Sequence, residues 1–335
     1  MLLLDAAAVA EALPMIEAVA VAGDALRAFS SGDVVQPLRH MVRAPQGDLM
    51  AVMPAYVDGP AARHRGYGLK TIVIKPGNHA RGLPAHLGLV LVFDPETGAP
   101  RAVMDGAAVT AIRTAAVSGA ATEALAPSEV DVLAILGTGV QARTHLEAML
   151  TVRRPRAVHV WGRTPERAVS FADWARDKFG IAVTSLPTVA DTVADAQLIC
   201  TTTAANHPIL TSGNVRDGAH VNAVGSSVPQ HRELDADLMA RAEVFVDSRE
   251  SALSEAGDIV IPIDHGRFGP EHIRAEVGTV LLNKHTGRGG PESVTVFKSL
   301  GLAVEDVLTG FHIYQQAAKA GLGTSVDLFE PLPTR

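Results

Sequence analysis

The chain has 335 residues, 47% hydrophobic and 19% charged, a length that suggests roughly two domains and an apolar content that excludes general disorder. Its single cysteine, Cys200, excludes a disulfide framework and a cysteine-based zinc site, and no metal is expected. A formal charge of −7 with only 4% aromatic residues leaves little for phosphate tracking or base stacking, so no nucleic acid but a small-molecule partner is expected.

The N-terminal stretch Met1 to Gly23 is apolar, but it has no Lys or Arg before Arg27, and Asp5 and Glu11 interrupt it. It predicts two short helices broken at Pro14 rather than a signal peptide. No apolar run approaches the ~18–20 residues that span a bilayer, so a cytoplasmic location away from membranes is expected. Met15 to Phe29 carries helical periodicity. Leu49–Val57, Gly68–Ile74 and Leu87–Phe93 read as strands, separated by turn residues at Asp58-Gly59-Pro60, Pro76-Gly77-Asn78 and Asp94 to Gly98. Gly106 to Ala126 is Ala- and Thr-rich and predicted helical.

From Val130 the texture changes to strands alternating with helices. VDVLAILG, AVHVWG, IAVTSL, QLICTTT, AHVNAVG and EVFVD are apolar strands. Val140–Leu150 and the segment from Pro165 to Gly180 are helices, the second opened by Pro and closed by Gly. This pattern indicates a parallel sheet covered on both faces. The fold class is therefore α/β, a Rossmann-type doubly wound parallel sheet domain over 126–301 plus an α+β domain over 1–125. A last helix over Leu302–Ala320 either returns to the first domain or caps the second.

Gly137-Thr138-Gly139-Val140-Gln141-Ala142 fits G-x-G-x-x-A between a predicted strand and a predicted helix. There the first Gly makes the tight turn, the second admits backbone N–H groups to a pyrophosphate, and Ala142 permits close packing. The next strand ends at Arg163-Thr164, with Arg167 one turn on, where NAD-selective sites place a carboxylate for the ribose 2′-OH. An Arg fork and a hydroxyl suit a 2′-phosphate instead, so NADP(H) is favoured, with NAD(H) as the alternative. The competing view is that both arginines are solvated surface residues.

Arg43, Lys70 and Arg113 each sit in an apolar neighbourhood, where a charge is costly unless paired. Either each meets an Asp or Glu in the core, or all three converge on a substrate carboxylate. The histidines show no metal-binding pattern, and Asp306, near the start of the last helix, reads as a helix N-terminal charge or a pocket residue.

Taken together, these segments resemble the ornithine cyclodeaminase/mu-crystallin family over nearly the whole chain. The resemblance rests on R-A-P-Q-G-D-L-M-A-V-M-P-A-Y at 43–56, G-L-K-T-I-V-I-K-P-G-N at 68–78, G-L-P at 82–84 and L-V-F-D-P-E-T-G at 91–98. It continues through T-A-I-R-T-A-A-V-S at 110–118, L-G-T-G-V-Q-A at 136–142, N-A-V-G-S-S at 222–227, R-E-L-D at 232–235 and V-F-K-S-L-G-L-A-V-E-D at 296–306. It implies a homodimer, with 1–125 binding substrate and forming the subunit contact, joined by the C-terminal segment 302–335. It implies that Arg43, Lys70 and Arg113 hold the substrate α-carboxylate. It places Thr202, Val224, Gly225, Ser226, Ser227 and the Lys298-Ser299-Leu300 segment on the cofactor side, with Ser227 also toward the substrate.

Members of this family share a hydride step between a nicotinamide and the α-carbon of an amino or imino acid. Lys70 is the candidate proton donor to the imine nitrogen, because burial lowers a lysine pKa. Cyclodeaminases carry Asp in a G-x-D-x-P-G-K-x-E-L pattern, whereas this chain reads Gly225-Ser226-Ser227-Val228-Pro229-Gln230-His231-Arg232-Glu233-Leu234. Serine cannot serve as that base. The expected function is an NAD(P)H-dependent reductase of cyclic ketimine carboxylates, such as Δ1-pyrroline-2-carboxylate or Δ1-piperideine-2-carboxylate. An alanine dehydrogenase-like acyclic imine reductase, an ornithine cyclodeaminase and an NADPH-binding protein are the alternatives.

Overall fold

The computed structural model describes every residue except Gln46, Ala62 and 329–335, and every described side chain except those of Pro76 and His79. The end of the expected segment 302–335 thus lies outside the described residues. The chain divides into two compact units, Met1–Arg113 with the described residues from Leu302 on, and Thr114–Gly301. The division falls inside the helix Gly106–Leu125 (α3) rather than at its end near 125. An Ala-rich helix carries no turn residue at its middle, so nothing in the sequence marks that point.

In the first unit, β1 (Leu2–Leu4) precedes α1 (Ala6–Ala12) and α2 (Met15–Ser31). The predicted helix break is present: Pro14 is the N-cap of α2, where its missing N–H costs nothing, and Gly32 closes the helix at φ 88°. β1 is a departure from the predicted helix. Its three residues pair parallel to β7 (Pro100–Asp105) and are too few to show a period of two.

The sheet of this unit also contains β2 (Val34–Val35), β3 (His40–Arg43), β4 (Leu49–Val57), β5 (Gly66–Ile74), β6 (His86–Phe93) and β16 (Thr324–Ser325). Its order is β16-β1-β7-β6-β5-β4-β2, with β3 paired to β4, and all pairs but β1–β7 are antiparallel. Alternation along β5 sends Gly66, Gly68, Lys70 and Ile72 to the buried face and Tyr67 and Val73 to the outside. The C-terminal helix α11 (Ala303–Ala320) packs on the buried face, so of the two readings it joins the first unit. Glycines permit the close approach: a Cβ on Gly310 would stand 2.9 Å from Val92, and one on Gly68 2.8 Å from Val307.

The second unit carries eight parallel strands, β8 (Val132–Leu136), β9 (Ala157–Trp161), β10 (Val183–Ser185), β11 (Leu198–Thr201), β12 (His220–Ala223), β13 (Glu243–Val246), β14 (Ile273–Glu276) and β15 (Thr295–Lys298). The order is β10-β9-β8-β11-β12-β15-β13-β14. Strand order therefore reverses between β8 and β11, the switch point at whose carboxyl ends open α/β sheets bind ligands. The helices include α4 (Val140–Val152), α5 (Pro165–Phe179) and α9 (Gly257–Asp264). Among the described residues, no single helix is long and apolar enough to cross a membrane.

Candidate functional site

Two constellations carry chemistry, one in each unit. In the first, α11 lays two acidic residues of its opening turn against the cations of β5 and α3. Lys70 Nζ stands 2.7 Å from Asp306 Oδ2. Arg113 donates through Nε to Asp306 Oδ1 at 2.9 Å and through Nη1 to Glu305 Oε2 at 2.8 Å. All four side chains are buried. The core pairing foreseen for Lys70 and Arg113 is thus what this structure holds, and the acids it needs come from one helix turn.

Burial lowers the Lys70 pKa to about 8, helped by the positive Arg113 guanidinium and, further down, Arg39, while the Asp306 carboxylate opposes the shift. Lys70 is therefore an ammonium at neutral pH that releases its proton within reach of it. Arg39 escaped the sequence reading, since it lies in no apolar run. Arg43 is not brought to this cluster. It ends β3, a four-residue strand paired only to β4, and its exposed Nη2 lies 3.6 Å from Met41 Sδ. Among the described residues no carboxylate pairs with it.

The second constellation crowns the parallel sheet. Gly137 follows β8 at φ 127°, a region closed to L side chains, and a Cβ there would stand 2.6 Å from Thr202 Oγ1. The glycine thus lets the carboxyl ends of β8 and β11 approach. Gly139 is the N-cap of α4 and supplies no side-chain cap, which leaves the N–H groups of the first turn directed outward. Thr138 and Gln141 are partly buried there, Val140 is exposed, and Ala142 is fully buried. These features fit a dinucleotide pyrophosphate: a glycine turn without Cβ and an uncapped helix end aimed at an anion. Arg163, Thr164 and Arg167 are all exposed around the start of α5, and Thr164 caps it without a side-chain hydrogen bond.

Thr202 and Val224 lie just beyond β11 and β12 and are partly buried. Gly225 is exposed and Ser226 is buried, its Oγ donating to the His231 carbonyl at 2.5 Å. Ser227 is partly buried, His231 is exposed, and Ser299 is buried next to the end of β15. Beneath this loop lie Glu233 and Asp258, to which the sequence reading gave no role, with Lys298 of the expected cofactor-side segment. Glu233 is fully buried, as are Asp258 and Lys298, whose Nζ stands 2.9 Å from Asp258 Oδ2. The available signal was a lysine inside the apolar run V-T-V-F-K-S-L, which demands a buried partner.

With this geometry in view, a family model described as the ornithine cyclodeaminase/mu-crystallin family matches residues 1–321. A Delta(1)-pyrroline-2-carboxylate reductase of Bacillus cereus is 36% identical over 315 residues, 93% of this chain and 95% of its own. The ketimine reductase mu-crystallin of Mus musculus is 40% identical over 294 residues, 87% of this chain and 88% of its own. The solved structure of Thermococcus litoralis Delta(1)-pyrroline-2-carboxylate reductase, in complex with NADH and L-proline, matches with a TM-score of 0.93 and 34% identity, covering 97% of this chain and all of the other. The chain belongs to the ornithine cyclodeaminase/mu-crystallin family.

Proposed function

We propose that this member of the ornithine cyclodeaminase/mu-crystallin family reduces cyclic ketimine carboxylates with NAD(P)H, taking Δ1-pyrroline-2-carboxylate to L-proline and Δ1-piperideine-2-carboxylate to L-pipecolate. The observation that carries the reading is the buried Lys70 ammonium, poised at a pKa of about 8 beside Arg113 and Asp306. Its support is the likeness to relatives named Delta(1)-pyrroline-2-carboxylate reductase and ketimine reductase mu-crystallin.

Bound NAD(P)H supplies a hydride to the imine carbon. Everything else is the work of the chain. Lys70 and Arg113 attract the α-carboxylate and turn the imine toward Lys70, without Arg43, which stands exposed at the end of β3. The ammonium then gives its proton to the imine nitrogen, so one hydride and one proton convert C=N into CH–NH. Asp306 keeps that lysine charged in a buried setting that would otherwise strip its proton. Gly137, Thr138, Gly139, Val140 and Gln141 would hold the pyrophosphate, and Arg163, Thr164 and Arg167 the adenosine end. Two arginines and a hydroxyl there favour a 2′-phosphate, hence NADP(H). The Thermococcus litoralis relative was solved with NADH, which keeps NAD(H) as an acceptable second coenzyme. Thr202, Val224, Gly225, Ser226 and Ser299 would line the nicotinamide side, with Ser227 donating to substrate. Serine at that position lacks the base that a cyclodeaminase needs.

A second copy of this chain is the proposed partner of the outer face of the first unit's sheet. Met50, Val73 and Leu87 lie in register across β4, β5 and β6 and are each partly exposed, flanked by exposed Tyr67 and Leu89. An apolar face of this breadth, left exposed by the described residues, can meet the same face of a second copy about a twofold axis.

The deciding experiment follows NADPH consumption with Δ1-pyrroline-2-carboxylate, run beside L-ornithine with NAD and ammonia detection. Consumption with formation of L-proline, and no ammonia from ornithine, is expected. Ammonia and proline from ornithine would overturn the reductase reading and the weight given to Ser227.

A further inference from the structure

The loops at the carboxyl ends of β11 and β12 are joined by one carboxylate, Glu233, to which neither the proposed reaction nor the resemblance assigns a role. Glu233 is fully buried and accepts four hydrogen bonds: Thr201 Oγ1 at 2.7 Å, the Thr203 amide at 2.7 Å, Thr203 Oγ1 at 2.6 Å and the Gly225 amide at 2.7 Å. The two amides approach different carboxylate oxygens, so the group spans from one loop to the other. Gly225 has no room for a side chain, since a Cβ would stand 2.4 Å from Glu233 Oε1 and 2.2 Å from the Thr203 carbonyl.

The carboxylate is itself held. The amides of Glu233 and Leu234 donate to Asp258 Oδ1 at 2.8 and 2.9 Å. Lys298 balances Asp258 and donates to the Ser226 carbonyl at 2.5 Å, gripping the far side of the same loop. Such satisfaction of buried charge on every side is costly to assemble and serves to fix geometry. What it fixes is the spacing of 201–203 and 224–227. These loops crown the half of the sheet beyond the switch point from β8 and β9, so a dinucleotide whose adenosine end rests by Arg163 extends its other end across them.

We infer that Glu233 is a positioning residue for the nicotinamide half of the dinucleotide, acting through the loops it ties together; this rests on the dinucleotide reading above. Glutamine in its place must turn its NH2 toward one of the two amide donors and so break the tie. Shape and volume are otherwise kept.

The test compares the full-length wild type with Glu233→Gln and Thr203→Val, titrating each with NADPH by nucleotide fluorescence and with adenosine 2′,5′-bisphosphate, which lacks the nicotinamide half. Glu233→Gln is expected to weaken NADPH by about tenfold or more, the size expected for a lost charge-assisted bond, while the bisphosphate binds as before. Thr203→Val removes one donor of four and shifts NADPH in the same direction by less; it carries the test if Glu233→Gln does not fold. Equal weakening of both ligands would reduce Glu233 to a structural residue, and no change in either would also overturn the inference. A wild type that binds neither NADPH nor NADH would overturn the dinucleotide reading itself, a result distinct from both.

Discussion

Lys70 and Arg113 share one carboxylate: Asp306 faces Lys70 Nζ with Oδ2 at 2.7 Å and receives Arg113 Nε on Oδ1 at 2.9 Å. Two like charges are thereby held side by side in the interior, which neither could occupy alone. The alternation of β5 puts Lys70 on the buried face, and the first turn of α11 brings the counter-charge. Glu305, the neighbour of Asp306, takes a second donor of the arginine fork, Nη1, at 2.8 Å. The cations are oriented before any substrate arrives, a condition for rapid anion binding in a desolvated site.

Asp306→Asn removes the charge and leaves both cations in place. Breaking a buried pair by deleting one partner typically costs ~3–5 kcal/mol, because the orphaned charge stays buried. We expect the unfolding free energy from denaturant titration to fall by that amount, and imine turnover to be lost with it at neutral pH as Lys70 gives up its proton. Unchanged stability would mean that Asp306 is not the counter-charge that keeps the lysine protonated.

The Lys70 pKa of about 8 lies below the ordinary lysine value of 10.5. The native state therefore releases this proton more readily than the unfolded chain. The cost of burying the ammonium is present in full below about 8 and is relieved as pH rises from there to 10.5, so this group makes stability increase over that window. Activity moves the opposite way. If Lys70 is the proton donor proposed above, reduction should fall in kcat/KM as pH rises through about 8, while oxidation of L-proline, which would then need the free amine, should rise. Loss of reduction through thermal unfolding at those pH values would contradict this, and melting curves taken beside the rate profiles separate the two.

Much of this architecture is legible in the sequence. The apolar runs LAIL, LICT and HVNA become the adjoining parallel strands, and Gly137 is where its turn requires it to be. Lys70 and Arg113 declare themselves because a charge inside an apolar segment needs a partner. Their partner was hidden: Asp306 follows Arg113 by 193 residues, and no local pattern reports that α11 crosses beneath β5. Arg43 shows the converse. Its place in a dense motif suggested convergence, but as the last residue of a four-residue edge strand it projects into solvent. Glu233, Asp258 and Lys298 lie in three different elements, so their network exists only after folding.

On the proposed NADP(H) reading, coenzyme choice would rest on the exposed start of α5. Replacing Arg163 by Ala removes a fork for the 2′-phosphate and leaves the turn at Gly137 untouched. We expect kcat/KM for NADPH to fall by about tenfold relative to NADH, the scale of one charge-assisted contact at a solvated site. Arg167→Ala should act in the same sense and more weakly, since it lies one turn further along. The measurement is the ratio of the two specificity constants. A ratio that stays constant in both variants would assign these arginines to the solvated surface and remove the argument for NADP(H).

The outer face of the first unit's sheet gives the last prediction. Leu89 is 45% exposed on β6, opposite Thr71 of β5 and next along that face from the Val73–Leu87 pair. If a second copy of the chain covers this face, Leu89→Arg places an unpaired charge in the contact twice per dimer, because a twofold interface repeats every residue. Sedimentation velocity should then show a wild-type dimer and a variant shifted toward monomer, with a dimer Kd raised by at least about tenfold. Leu89 stands on the face opposite Lys70 and Asp306, so the fold of the isolated chain should survive, as cooperative melting would record. A wild type that sediments as a monomer at the concentrations used for catalysis would remove the second copy as the partner of this face.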